Sequence, residues 1–305
     1  MKTERNLIKF WLLGAVSGAA QIPHSPKHHT RHPMKTNPSS KNPEAAFNLT
    51  ELCVVIACIA VLAMLVLPAL AATKMQSASA GCLYNLRHLM IGWEMYRTEN
   101  NDYLMPNAPA GYAAGWVSPQ VAENWATAPA NTNSVYYTNS KALMWPYVNN
   151  NLSVYRCPGD VVPSANGTRI RSYSMNSAMI GGLQGNIAPL IAYNPGNRVY
   201  FKGSDLVSPS PANVFVFADE SPASINDGYL QISSNVPDFP DIPACYLEGG
   251  CGFSFADGHG EIHRWKSSAL LIPVQQNLTQ FNVVPADGNQ NADWIWLTQH
   301  ATSHQ

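Results

Sequence analysis

Charge is what this chain has least of. Asp, Glu, Lys and Arg make up 12 % of its 305 residues, with 18 basic side chains against 19 acidic ones. Without a basic surplus to neutralise phosphates, nucleic acid is not an expected partner. Catalytic signatures are missing as well: there is no G-x-S-x-G, no H-E-x-x-H and no P-loop, and scattered His and Ser residues do not make an active site. The chain is therefore not expected to be an enzyme. None of the six cysteines belongs to a Cys-x-x-Cys pair, which speaks against zinc at ordinary ligand spacing. What is plentiful is Pro (23), Gly (20), Tyr (13) and Trp (8), the composition of a loop-rich, aromatic-rich domain. The length suits one membrane anchor and one globular domain with its own core.

The scarcity of charge is concentrated in one place. Leu52 to Ala72 is a run of twenty-one residues without a charged side chain, and at about 1.5 Å per residue it covers a hydrocarbon core of roughly 30 Å. Lys35 and Lys41 precede it and the bulk of the chain follows. The positive-inside rule therefore puts the N-terminus in the cytoplasm and the residues after about 73 outside. Pro68 falls late in the run, where a kink is tolerated. Cys53 and Cys58, inside it, read as small apolar fillers. Upstream, Leu7 to Gln21 is apolar behind Lys2 and Arg5 but too short to span. Met34 opens a short polar leader and is the expected start, so residues 1–46 are read as a leader, 47–73 as the membrane half of a long helix, and 74–305 as the extracytoplasmic domain.

Beyond the membrane run the helical signal persists. Leu83, Leu86, Met90, Trp93 and Tyr96 recur at spacings of three and four, the mark of one buried face, while Arg87, Glu94, Arg97 and Glu99 take other positions. One helix is expected from about Thr50 to about Asn100, stopped by Asn100-Asn101-Asp102. Further on, NVFVFAD (from Asn213) suits a central strand, and GFSFA and EIHRW flank Asp257-Gly258 as a hairpin. Arg198 to Lys202 is a possible further strand. The predicted fold is α+β: a long N-terminal helix packed on a small antiparallel sheet of three or four strands, with long irregular insertions. His259 and His263 lack a third ligand at metal spacing, so turn and packing roles are expected for this hairpin.

Within this frame the stretch AFNLTELCVVIACIAVLAMLVLP (Ala46 to Pro68) resembles the N-terminus of a type IV pilin or type II secretion pseudopilin: a small residue, then Phe, then Glu four positions on, then the span. The resemblance implies cleavage between Ala46 and Phe47 by a prepilin peptidase, methylation of the Phe47 amine, and packing with other pilin or pseudopilin subunits into a filament at the inner membrane, with the C-terminal domain periplasmic. The residue before the cut is usually Gly in such proteins and is Ala46 here. Glu51 stands at the edge of the apolar segment, where a lone carboxylate is unfavourable. Pairing with the Phe47 amine of a neighbouring subunit compensates both charges. The local alternative is that Glu51 merely complements the positive end of its own helix. NLRHLMIGWEMYRTENNDYLMPNA, YRCPGD, RSYSMN, NVFVFADE and FSFADGHGEIHRW are similar to the large pseudopilin-like proteins of Planctomycetes and Verrucomicrobia. Many of those carry a His ten positions before the last Asp-Gly; here that place is Leu247.

Four cysteines, Cys82, Cys157, Cys245 and Cys251, fall in the expected extracytoplasmic part, and four cysteines allow three connectivities. Cys245 and Cys251 bracket YLEGG, whose glycines permit a tight ring; Cys82 then ties the helix to the Cys157-Pro-Gly-Asp turn. Asp238, Asp241, Glu248 and Asp257 offer hard oxygen ligands for Ca2+, a reading that similarity to the major pseudopilins favours. As an alternative to a structural subunit, Trp116, Trp125, Tyr136, Tyr137 and Trp145 suggest an aromatic surface for binding or adhesion, displayed on the membrane or a filament.

Overall fold

The computed structural model describes residues 48–120, 122–183, 185–192, 195–276, 278, 284 and 288–303. The chain divides into two units, Met1–Val55 and Ile56–Gln305, and the described part of the first is 48–55. Its elements are helices α1 (Leu49–Glu99), α2 (Val135–Thr138), α3 (Ala188–Ala192) and α4 (Gly288–Gln299), and strands β1 (Tyr173–Asn176), β2 (Phe215–Asp219), β3 (Tyr229–Leu230), β4 (Gly250–Phe255) and β5 (Gly260–Arg264). The α+β class and the long apolar N-terminal helix stand as expected.

Helix α1 changes character along its length. Between Leu52 and Leu70 the large aliphatic side chains are 44–73 % exposed, and the helix continues through Pro68. Past that stretch, Cys82, Asn85, Leu86, Leu89, Met90, Gly92 and Trp93 are buried. Leu83 and Tyr96, also assigned to the buried face, are only half-covered. The helix ends where Asn101 and Asp102 turn into the left-handed region at φ 54° and 67°, a conformation Asn and Asp tolerate better than most residues. Arg97 steadies this exit by pairing with Glu94 and Asp102, each at 2.6 Å.

The sheet runs in the order β3-β1-β2-β4-β5. It is mixed rather than antiparallel, because β3 pairs parallel to β1, with Met175 opposite Tyr229 and Asn176 opposite Leu230; the other pairings are antiparallel. The predicted β4–β5 hairpin is present, with Asp257-Gly258 in its turn. Arg198–Lys202 contributes isolated bridges, Met179 to Tyr200 and Tyr103 to Lys202, instead of a strand.

Every residue of β2 is buried because both faces of the sheet are covered, and a bulge sets which side chain meets which core. Phe215 opposes Phe255 but Phe217 opposes Ser254, so one extra residue interrupts the alternation. Val216 and Phe217 then both face the core built on α1, while Phe215 and Ala218 face a second core with Phe253, Phe255, Trp265 and Leu297 of α4. The sheet thus has a hydrophobic core on both faces. Strand β4 alternates to match: Cys251, Phe253 and Phe255 belong to the second core. On the opposite side Gly252 lets α1 approach, since a Cβ there would lie 2.6 Å from Cys82 Sγ and 3.0 Å from Leu86 Cδ1. Helix α4 covers the second core through Trp296, whose ring lies 5.0 Å from Phe253.

Candidate functional site

Three groups of residues carry chemistry, and the first opens α1. Asn48 Oδ1 accepts from the Thr50 amide at 3.3 Å, and Glu51 Oε2 accepts from the Asn48 amide at 3.0 Å. This reciprocal arrangement is a capping box, which satisfies amides that the helix itself leaves free. The signal was present in the sequence as Asn-x-x-Glu ahead of an apolar run. Glu51 therefore does complement its own helix, through one carboxylate oxygen. Ala46, Phe47, Met34 and the leader 1–46 lie outside the described residues.

The second group lies where α1, the Cys157-Pro-Gly-Asp turn and the end of β2 meet. Cys82 Sγ, Cys157 Sγ and a carboxylate oxygen of Asp219 lie within 4.8 Å of one another, and all three residues are buried. Cys82 Sγ donates to Asp219 Oδ2 at 2.9 Å. Ser172 Oγ and the Tyr246 hydroxyl donate to Asp219 Oδ1 at 3.1 and 3.0 Å. Burial raises the Asp219 carboxyl to about 7, against the hydrogen bonds that favour its charged form. Burial, followed by Cys157 and Asp219, likewise pushes the Cys82 thiol well above its ordinary value. All six cysteines are free thiols in this structure. The predicted meeting of Cys82 with Cys157 is present, whereas Cys245 Sγ donates to the Ile272 carbonyl at 3.1 Å and Cys251 Sγ to the Asp219 carbonyl at 3.2 Å. Asp219 escaped notice in the sequence because it stands 137 positions from Cys82; no local spacing announces such a group.

The third group is a buried network of acids around Arg171. Arg171 pairs with Glu123 at 2.8 Å, with both side chains 2 % exposed. It also donates to Ser174 Oγ and to the Tyr173 carbonyl, each at 2.7 Å. The Tyr137 hydroxyl donates to Glu123, and Ser224 Oγ donates to Glu220 Oε1 at 3.0 Å. Burial, then the Asp241 charge, pushes the Glu220 carboxyl well up. Asp241 accepts from the Gln231 amide at 2.7 Å, and burial raises it from 3.8 to about 8, with Asp227 adding repulsion and Arg171 opposing it. A carboxyl whose folded value exceeds its unfolded value is protonated in the native state where the unfolded chain has already lost the proton. The stability it confers is present below about 4 and is lost as pH rises through about 8. Asp241→Asn keeps an oxygen for the Gln231 amide and removes the charge. It is expected to raise the melting temperature of the domain from Ser77 onward at pH 8, by more than about 1 kcal/mol of stability, and to leave it little changed at pH 4. A melting temperature at pH 8 that does not rise contradicts this.

The acids proposed for Ca2+ are not gathered. Glu248 pairs with Arg264 and Asp257 with His259, each at 2.6 Å, while Asp241 is buried on the Gln231 amide and Asp238 is half-buried. Among the described residues no three of them cluster at ligand distance. His259 stacks on Phe255 with ring centres 4.3 Å apart. His263 stacks on Trp296 at 3.6 Å, and burial lowers it to about 4, so it packs as a neutral ring.

The aromatic surface does not form as expected, because Trp116, Trp125 and Tyr137 are core residues and Tyr136 and Trp145 are partly buried against them. Trp116 sits edge-on to Phe217 at 5.1 Å and donates its indole N–H to the Gly228 carbonyl at 2.8 Å. Arg169, bonded to Asp160 at 2.8 Å, lies over the Trp125 ring at 4.6 Å. These aromatic rings fill the interior of loop-rich segments that have little regular structure to do so. No protein-family model, no curated protein and no solved structure matches this chain.

Proposed function

We propose that the protein is a structural subunit of a type II secretion or type IV pilus-like filament, made as a precursor and processed by a prepilin peptidase. The observation that carries this reading is the division of α1. Its first part is long and apolar enough to cross a membrane and is uncovered by the other described residues; its second part packs on the sheet through Leu86, Leu89, Met90 and Trp93. A soluble protein does not leave such a surface in water. The proposed sequence of events is insertion with the N-terminus in the cytoplasm and the domain in the periplasm, cleavage between Ala46 and Phe47, methylation of Phe47, and lateral packing of the apolar segments. Further support comes from Tyr84, Ile91 and Met95, which are exposed on α1 at spacings of seven and four and so offer a neighbouring subunit an apolar stripe continuing the membrane segment.

The test is a division of labour between the two parts of α1. The full chain is expected to sediment with membranes and to need detergent for release. Residues from Ser77 onward, expressed alone, are expected to be soluble and largely monomeric, because the sheet covers the buried face of α1 and the lipid-facing part is gone. Stable filaments from the shortened chain, or release of the full chain by a carbonate wash, contradict the proposal.

A further inference from the structure

We infer that Cys82, Cys157 and Asp219 bind a single divalent cation of the zinc class, tying α1 to the Cys157 turn and to the end of β2. Three ligand atoms from three distant segments converge within 4.8 Å in a buried pocket. Two thiols and one carboxylate are the donors that zinc accepts, whereas calcium and magnesium take oxygen ligands.

The surroundings are built to present these atoms. Ser172 and Tyr246 both donate to Asp219 Oδ1, which turns Oδ2 toward Cys82 Sγ. Outer hydrogen bonds of this kind orient metal ligands and set their affinity. The Gly159 amide donates to Cys157 Sγ at 3.4 Å, an N–H···S contact that steadies a thiolate. The Cys157 amide in turn donates to Ser172 Oγ at 2.9 Å, so both ligand segments share one hydroxyl. The wall is kept open by Gly252, where a Cβ would lie 2.6 Å from Cys82 Sγ and 3.1 Å from Asp219 Oδ2. The Ser172, Tyr173 and Tyr246 hydroxyls surround the group, and the fourth position of a tetrahedral site falls to a hydroxyl or a water.

A cation accounts for all three residues, and a disulfide for only two. Oxidation of Cys82 and Cys157 to a disulfide removes the thiol that donates to Asp219 Oδ2 and leaves that oxygen of a buried carboxylate without it, a costly outcome. Metal binding instead replaces the thiol protons, released to solvent, with a charge that all three ligands share. Because the ligands are buried, the ion enters during folding and leaves only on unfolding.

The experiment uses the full chain, extracted in detergent from membranes of cells grown with zinc. Elemental analysis is expected to find about one zinc per chain after dialysis against a chelator. Cys82 and Cys157 should resist alkylation in the native protein and react fully after unfolding with chelator present. Refolding with Co2+ should produce a thiolate-to-cobalt charge-transfer band. Ser172→Ala and Tyr246→Phe, which keep Cys82, Cys157 and Asp219, should weaken zinc binding roughly 10–100-fold, and Cys157→Ser should abolish it. If Cys157→Ser fails to fold, the metal content and cobalt spectrum of the unaltered chain still decide. A metal-free native protein overturns the inference, whether peptide mapping finds a Cys82–Cys157 disulfide or two free thiols.

Discussion

Glu51→Gln is expected to yield a protein that inserts, is cleaved and is methylated, yet does not assemble. The capping box makes this substitution sharper than a change to Ala. Glu51 Oε2 accepts from the Asn48 amide at 3.0 Å, and a Gln carbonyl serves at that position as well as a Glu carboxylate. The helix start is therefore preserved and only the charge is lost. Glu51→Ala removes both, at a capping cost of about 1 kcal/mol, and confounds fraying with loss of pairing. If the Phe47 amine of a neighbour relies on Glu51 inside an apolar bundle, the Gln variant leaves that amine without a counter-ion, costing about 3–5 kcal/mol for a fully buried pair. Capping occupies one carboxylate oxygen and leaves the other for the amine, so the two roles coexist in one subunit. Imaging of filaments, or co-purification of tagged and untagged subunits, reads the result. Filaments of normal abundance from Glu51→Gln would show that capping is the whole role of this residue.

The second large effect is expected inside the domain. Arg171 is the cation of a buried network that holds Glu123 at 2.8 Å, and Glu220, Asp227 and Asp241 also feel its charge. Arg171→Met leaves Glu123 a buried acid without its ion-pair partner and is expected to cost about 3–5 kcal/mol, enough to unfold many domains of this size. Adding Glu123→Gln should recover part of that loss, since replacing both members of a buried pair is far milder than removing one. Chemical denaturation of the domain from Ser77 onward measures both. A loss below about 1 kcal/mol for Arg171→Met would mean that the pair is reached by water and does not organise the interior.

The parts of the fold that were legible in the sequence are those written in local patterns. The twenty-one uncharged residues and the three-four spacing after them located α1 to within a residue of its observed ends, Leu49 and Glu99. The Asp257-Gly258 turn located the hairpin of β4 and β5. What escaped is set by contacts between distant residues. The parallel pairing of β3 with β1 joins residues more than fifty positions apart. The bulge at Val216 made an uninterrupted apolar run read simply as a central strand, though it serves two cores. Helix α4 has weak amphipathic patterning, and its role became visible only through Trp296 against Phe253 and His263. The aromatic residues of the first insertion read as surface because the segment lacks regular periodicity, yet Trp116 and Tyr137 are buried in the same core as Leu86 and Trp93 of α1. At the candidate site, Glu51 was recognised and its capping partner Asn48 was missed. Cys82 and Cys157, expected to form a disulfide, lie near one another as free thiols, while Asp219 could be found only in three dimensions.

The central claim is that a prepilin-type precursor is cut ahead of Phe47 and held in the membrane by the apolar part of α1. The most direct measurement is N-terminal sequencing, with mass determination of the first peptide, of protein isolated from native membranes. The account predicts a mature chain that begins at Phe47 with a methylated amine and retains the whole Leu52–Ala72 segment. A mature N-terminus at any other residue, or an intact leader on membrane-embedded protein, contradicts it.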